Sequence, residues 1–203
     1  MFMRVIIPII LVLALPLNIY AETTPTPRLE TAILAGGCFW CIEADYEKLD
    51  GVVEVISGYT GGHVENPTYK QVSAGRTGHI ESVKVTYDAD KISYAEILNF
   101  FWHHIDPTRD DGQFCDRGSQ YRPAIFYETV NQKEQAIASR EKIEQTKPFA
   151  EPLKVELIQA STFYPAEEYH QDYYQKNPLR YHFYRYNCGR DARVEQLWGA
   201  PAK

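Results

Sequence analysis

The spacing of apolar and polar positions predicts strands and helices in alternation along most of the chain. Residues 31–35 form a short apolar run that stops at Gly36-Gly37, as a buried strand does. Phe39, Ile42, Tyr46 and Leu49 then recur at helical spacing up to Asp50-Gly51, a helix stop. Residues 52–56 alternate like a strand and lead into a glycine-rich turn, Gly58-Tyr59-Thr60-Gly61-Gly62. Residues 82–87 alternate again, with Val83, Val85 and Tyr87 on one face. Ser93 with Glu96 makes a capping box, opening a helix whose apolar stripe includes Ile97, Phe100 and Phe101. Residues 124–127 read as a central strand, Asn131 with Glu134 as the cap of a helix ending before Pro148, and 155–158 as a further strand. A helix over 167–176 is stopped by Asn177-Pro178, and the tyrosine-rich tail from about Leu179 ends in a helical pattern over 192–198. Strands and helices intermix without strict βαβ regularity, which predicts an α+β fold: one compact domain with helices packed on a mostly antiparallel sheet.

The first residues break this rhythm. Arg4 is followed by an apolar run over 5–17, interrupted by Pro8 and Pro16, and the segment ends at Ala21. That run is too short for a bilayer span, which needs about 20 residues, and has the form of a secretory signal cleaved after Ala21. Residues 1–21 are therefore expected to direct secretion, to the periplasm, with no stable membrane insertion. Residues 22–28 are expected to be a disordered lead-in and 29–203 the folded domain. Both methionines, Met1 and Met3, fall in the segment expected to be removed.

Composition narrows the function classes. With 44% hydrophobic and 24% charged residues, the 203-residue chain can build a core, which excludes a disordered or low-complexity protein. A net charge of -6 argues against a nucleic-acid partner. Four cysteines are too few to staple a chain of this size, so their positions should report chemistry.

Gly36-Gly37-Cys38-Phe39-Trp40-Cys41 places Cys38 where a strand ends and a helix begins. Peptide N–H groups at such an end stabilise an anion, which predicts a depressed thiol pKa and a good nucleophile. Cys41 lies one turn on, within reach of a disulfide if that turn loosens. An inert buried pair, or half of a metal site with Cys115 and Cys188, would explain the same residues. The metal reading is the weaker, because the other two cysteines stand alone. By itself a C-x-x-C suggests a thiol-disulfide oxidoreductase, and that remains the alternative function. Of the six histidines, His79 is expected to orient the strand that holds Glu81, and His103 and His104 to end a helix as cations. His63, His170 and His182 lack metal-ligand spacing.

The surrounding motifs redirect the reading. Gly37-Cys38-Phe39-Trp40, Gly58-Tyr59-Thr60-Gly61-Gly62, Asn66-Pro67-Thr68-Tyr69, Thr77-Gly78-His79-Ile80-Glu81 and Gly118-Ser119-Gln120-Tyr121-Arg122 resemble, in order and spacing, peptide methionine sulfoxide reductase A. The resemblance covers roughly residues 31–178. It implies a ferredoxin-like two-layer core, and reduction of the S epimer of methionine sulfoxide in proteins and as the free amino acid. Cys38 would be the nucleophile and Glu81 the acid; a buried carboxyl has the raised pKa needed to hold a proton near neutrality. Tyr69 and Tyr121 match hydroxyl donors to the oxide oxygen, Asp116 a position that receives the substrate amide, and Phe39 with Trp40 the wall against the S-methyl group. Neither a cofactor nor a metal is implied. The Cys38 sulfenic acid would condense with a second thiol, and a thioredoxin-type dithiol protein would reopen the disulfide. The family reading points to a monomer. Which thiol resolves stays open: Cys188 on a mobile tail first, then Cys41, then Cys115, or a relay through two of them.

Overall fold

The computed structural model describes residues 26–199. The expected signal segment, 1–21, and most of the expected lead-in lie outside the described residues. Its last residue, Arg28, is tied down: its carbonyl accepts from Ala89 N–H at 2.8 Å and its guanidinium donates to the Ala89 carbonyl at 3.0 Å.

In chain order the elements are β1 (Leu29–Ala35), α1 (Phe39–Tyr46), β2 (Val52–Thr60), α2 (Tyr69–Ser73), β3 (Ile80–Asp88) and α3 (Tyr94–Trp102), then β4 (Gly112–Gln113), β5 (Asp116–Arg117), β6 (Ala124–Tyr127) and α4 (Val130–Thr146). They continue with β7 (Glu156–Gln159), β8 (Tyr164–Pro165), α5 (Tyr173–Lys176), α6 (Pro178–Cys188) and α7 (Arg190–Trp198). The main sheet has the order β7-β6-β1-β3-β2-β8, antiparallel throughout except for the parallel β6–β7 pair, and β4–β5 is a separate small hairpin. Within it, β1-α1-β2 and β3-α3-β6 are two interlocked split βαβ units, the ferredoxin-like arrangement that the resemblance implies. The α+β expectation is met.

Alternation along the strands decides which side meets the helices. Leu34, Val83, Val85, Tyr87 and Ile125 pack with Phe39, Ile42 and Tyr46 of α1 and Ile97 and Phe101 of α3. Ile33, Ala35, Ile80, Ala124 and Phe126 form a second cluster on the other face, against Ile158 and Phe163. Glu81 shares its side of β3 with Val83 and Val85, so the alternation that builds the core also carries a carboxyl under α1.

Several local expectations are corrected. Gly58 lies inside β2, not in a turn. A Cβ there would sit 2.4 Å from the Phe163 ring and 2.5 Å from the Tyr164 carbonyl, so the glycine admits the close approach of β8. Helix α4 starts earlier than Asn131, because Thr129 is its cap and accepts from Gln132 N–H at 3.1 Å. The stretch 167–176 is not one helix. Residues Glu168–His170 make a 3-10 turn, Asp172 takes a left-handed φ of 51°, and only α5 follows. Helix α5 does end at Lys176, as expected at Asn177-Pro178, and Pro178 also opens α6, since the first helical position needs no N–H donor.

The tail is accordingly two helices joined at Gly189, and it is clamped to the body. Arg185 Nη1 meets Asp45 Oδ1 of α1 at 2.7 Å. Arg190 is buried, donating to the Gly36 carbonyl at 3.1 Å and to the His104 carbonyl at 2.9 Å, with its guanidinium 4.5 Å from the Phe114 ring centre. His104 does not act as a cation at the end of α3: burial lowers its pKa, and its Nδ1 lies 2.7 Å from the Phe100 carbonyl, one of the orphan acceptors of that helix end. Among the described residues no helix is long and apolar enough to cross a membrane.

Candidate active site

Strand β1 ends at Ala35, and the Gly36-Gly37 turn delivers Cys38 as the N-cap of α1. Gly37 has φ of +90°, and a Cβ there would fall 2.6 Å from Cβ of Gln113, so only glycine fits. Gln113 is buried and locked by Asp106, whose N–H it accepts at 2.8 Å and to whose carbonyl it donates at 2.7 Å. With Arg190 holding the Gly36 carbonyl, the turn is fixed from both sides. The first free peptide N–H of α1, that of Phe39, donates to Glu81 Oε2 at 3.2 Å and not to the Cys38 sulfur.

A single cavity of about 60 Å³ is lined by Cys38, Phe39, Trp40, Tyr69, Glu81, Asp116, Tyr121 and Tyr184. The nucleophile, acid and substrate-contact residues anticipated from the motifs thus converge from α1, α2, β3, β5 and the 119–121 turn. Glu81 is 1% exposed, and burial pushes its pKa up to about 8 against the opposing Phe39 N–H. Burial also raises Tyr69, to about 12, and Tyr121 further, so both hydroxyls remain donors at neutral pH. Asp116 Oδ2 accepts from the Tyr184 hydroxyl at 2.5 Å, and burial raises its pKa as well.

The four cysteines form two unlike pairs. Cys38 and Cys41 are free thiols, 7% and 2% exposed, and hydrogen-bond to each other. Burial raises Cys38 well above the ordinary thiol range, reinforced by the Cys41 sulfur and by the Glu81 and Asp116 charges. Cys41 is lowered by the hydrogen bond from Cys38, helped by Arg190 and Arg185. The expected acid nucleophile is corrected here: at Cys38 desolvation by burial outweighs the helix end. Cys115 and Cys188 are joined in a disulfide, with Cα atoms 4.9 Å apart. Both sulfurs of the Cys115-Asp116-Cys188 cluster are therefore in a covalent bond and unsuited to hold a cation.

A family model for peptide methionine sulfoxide reductase matches residues 30–202. The chain belongs to that family. This reductase is 51% identical to the peptide methionine sulfoxide reductase MsrA/MsrB of Vibrio cholerae, over 95% of the chain and 53% of that longer relative. It is 47% identical to the peptide methionine sulfoxide reductase MsrA 2 of Caulobacter vibrioides, over 94% of the chain and 98% of the relative. The methionine sulfoxide reductase A structure from Corynebacterium diphtheriae superposes with a TM-score of 0.70 at 35% identity, covering 76% and 77% of the two chains. The activity is the reduction of methionine sulfoxide.

Around the cavity lie residues that sequence reasoning missed. Trp40 Nε1–H donates to His170 Nδ1 at 3.0 Å and stacks on Tyr173, ring centres 3.7 Å apart. Burial keeps the His170 pKa low, so its neutral ring can accept that bond with Nδ1. Glu167 accepts from Tyr69 N–H and the Tyr59 hydroxyl, each at 2.9 Å. His79 ties Gly62 N–H at 3.1 Å and lies 2.7 Å from the Val64 carbonyl, fixing the loop before α2 rather than Glu81 itself. Tyr184 carried no signal beyond being one of many tyrosines in the tail.

Proposed function

We propose that this reductase acts on methionine-(S)-sulfoxide, in proteins and as the free amino acid, through the Cys38 cavity. The observation that carries the proposal is the convergence on one small cavity of a thiol, a carboxyl protonated below about pH 8, two tyrosine hydroxyls and an aromatic wall. The oxide oxygen sits among Glu81, Tyr69 and Tyr121, the S-methyl group lies against Phe39 and Trp40, and Asp116 receives the substrate amide. Shape on the aromatic side and donors on the other select one epimer.

The Cys38 sulfur attacks the sulfoxide sulfur and passes its proton to Cys41, while Glu81 protonates the oxide oxygen. The S–O bond breaks to leave a sulfonium bonded to Cys38; the released hydroxide attacks the Cys38 sulfur, the new S–S bond breaks as methionine leaves with its electron pair, and Cys38 is left as a sulfenic acid. Cys41, already in contact with Cys38, then attacks that sulfur, and the hydroxyl departs as water. A thioredoxin-type dithiol protein supplies the electrons for the next cycle. Yeast Mxr1, which shares the fold at 22% identity and a TM-score of 0.52, has been solved in complex with Trx2.

An exposed disulfide fits an oxidising compartment, in keeping with export directed by residues 1–21. N-terminal sequencing of the exported protein should begin near Glu22; a start at Met1 would remove this part. The reaction is tested with purified protein and dithiothreitol. The S epimer should be reduced, the R epimer spared, and Cys38→Ser inactive. Turnover by Cys38→Ser, or none by the unaltered protein, overturns the proposal.

A further inference from the structure

A groove of about 670 Å³, far larger than the Cys38 cavity, runs beside the first half of β2. Strand β8 covers β2 only at Gly58 and Tyr59. At Ser57 a side chain takes over the part of a strand: the Gln171 amide accepts from Ser57 N–H and donates to the Ser57 carbonyl, each at 2.9 Å, and that carbonyl also receives Ala166 N–H at 2.9 Å. Antiparallel pairing turns alternate residues outward, and Val55 keeps the same register with β3 as Ser57. Its N–H and C=O therefore face the groove, and among the described residues no strand lies beyond them. The floor is apolar, from Val53 and Ile56 to Pro165, while the walls carry Glu47, Glu54, Glu168 and Asp172 and no basic side chain. At the rim, Lys176 meets Glu168 at 2.9 Å and Asp172 at 3.4 Å, and Lys48 lies over the Tyr174 ring at 5.5 Å. Four carboxylates thus face two ammonium groups, and the sign of the groove is negative.

We propose that this edge groove binds an extended, lysine- or arginine-rich segment of the oxidised protein substrate, apart from the residues that surround the sulfoxide. The proposal rests on the reading that Cys38 reduces methionine sulfoxide in proteins. An open sheet edge accepts an extended chain by strand addition, with its backbone bonded to the edge and its side chains read by the walls. Val55 offers one such donor and acceptor, and the carboxylates select basic side chains. A second copy of this protein would bring the same carboxylates against each other, so the charge disfavours it as the occupant. A short segment joins the groove to the active site: Glu168 lines the groove, while its neighbour Glu167 accepts from Tyr69 N–H and His170 accepts from Trp40. Val55 stands four residues before Tyr59, whose partner on β3 is Glu81. That is about 13 Å along the strand. At about 3.3 Å per extended residue, and with a detour around residues 166–170, the basic segment falls about six to ten residues from the sulfoxide. Free methionine sulfoxide cannot reach the groove, so the advantage belongs to protein substrates alone.

Two peptides test the groove. Both carry the S epimer in the same core, and each has an extended tail about six to ten residues away, rich in Lys in one and in Glu in the other. With dithiothreitol as reductant, the Lys-tailed peptide should show a KM about tenfold lower at low salt with kcat within about twofold, and the gap should shrink to about twofold near 0.5 M salt. Glu54 is exposed on the groove wall, and Glu54→Lys should narrow the low-salt gap to about threefold or less. Both KM values are taken on one protein, so a partly misfolded variant leaves their ratio intact. Equal KM values on the unaltered protein overturn the groove and leave the Cys38 reaction standing. No turnover of either peptide or of free methionine sulfoxide overturns that reaction, and with it the substrate as occupant. Hydrogen exchange gives a second measurement that needs no variant. In the protein alone the Val55 amide should exchange at least about tenfold faster than that of Ser57, which Gln171 holds, and the Lys-tailed peptide should slow it. A Val55 amide as slow as that of Ser57 without peptide means that the chain itself or a second copy already covers the edge, which overturns the proposal, as does exchange that the peptide leaves unchanged.

Discussion

Helix α1 has a buried carboxylic acid on each of two sides, and only one of them faces the cavity. Glu81 reaches it from β3, accepts the Phe39 N–H and lines the cavity. Glu43 belongs to α1 itself and is fully buried, near the Ser57 hydroxyl and the Asp172 backbone, with no hydrogen bond at either oxygen. Burial pushes both up to about 8. The two acids are therefore alike in proton affinity and unlike in what they can reach. A raised pKa records desolvation; the role of general acid comes from contact with the reacting atoms.

The sharpest break between them should appear in kinetics. Glu81→Gln is expected to lower kcat by roughly 100- to 10,000-fold, the usual contribution of a positioned acid. The unaltered enzyme should lose rate as pH rises through about 8, where Glu81 gives up its proton, and the glutamine variant should lack that limb. Glu43→Gln should keep kcat within about threefold and retain the limb. If the two variants lose activity equally, proximity to the cavity is not what separates them.

Smaller effects are expected from the hydroxyls around Glu81. Tyr69→Phe and Tyr121→Phe each remove one donor to the oxide oxygen and should each lower kcat/KM by about fivefold to tenfold, near 1 kcal/mol. Tyr184 acts one step away, through its bond to Asp116. Tyr184→Phe should raise KM for peptide sulfoxides by about fivefold and leave kcat within twofold, because the carboxylate that receives the amide loses its donor. A fall in kcat at constant KM would place Tyr184 in the chemical step instead.

What could be read from the sequence follows the range of the interactions. The strand end, the glycine turn and the first turn of α1 are consecutive residues, so Cys38 at a helix start was legible. Glu81 was visible through the motif and the alternation of β3. The thiol pair was misjudged because burial raises Cys38 and its coupling to Cys41 splits the two, and the surrounding Glu81, Asp116, Arg185 and Arg190 lie at least forty residues away in the chain. Pro178 was legible as the stop of α5 and not as the start of α6, because Asn177 serves both helix ends. The Cys115–Cys188 bond spans 73 residues, and no local pattern announces which hairpin tip meets which helix end. Glu43 looked like any helical glutamate, since the neighbours that enclose it, Ser57 and Asp172 among them, are distant in the chain.

Glu43 should show itself in stability. Unfolded, its carboxyl titrates near the ordinary 4.5; folded, it holds its proton up to about 8. Between those values the native state binds a proton that the unfolded chain has lost, so the contribution is complete below about 4.5 and fades as pH rises through 8. Glu81 has the same sign and a similar window. The melting temperature should therefore fall from pH 5 to pH 9, and Glu43→Gln, which keeps the shape of the neutral acid, should remove its share of that slope. Each kcal/mol is worth about 2–4 °C in a domain of this size, so the variant should out-melt the unaltered protein by several degrees at pH 9 and match it near pH 5. Parallel melting curves across that range would mean that Glu43 is ionised in the fold. Its kinship with Glu81 would then end at burial.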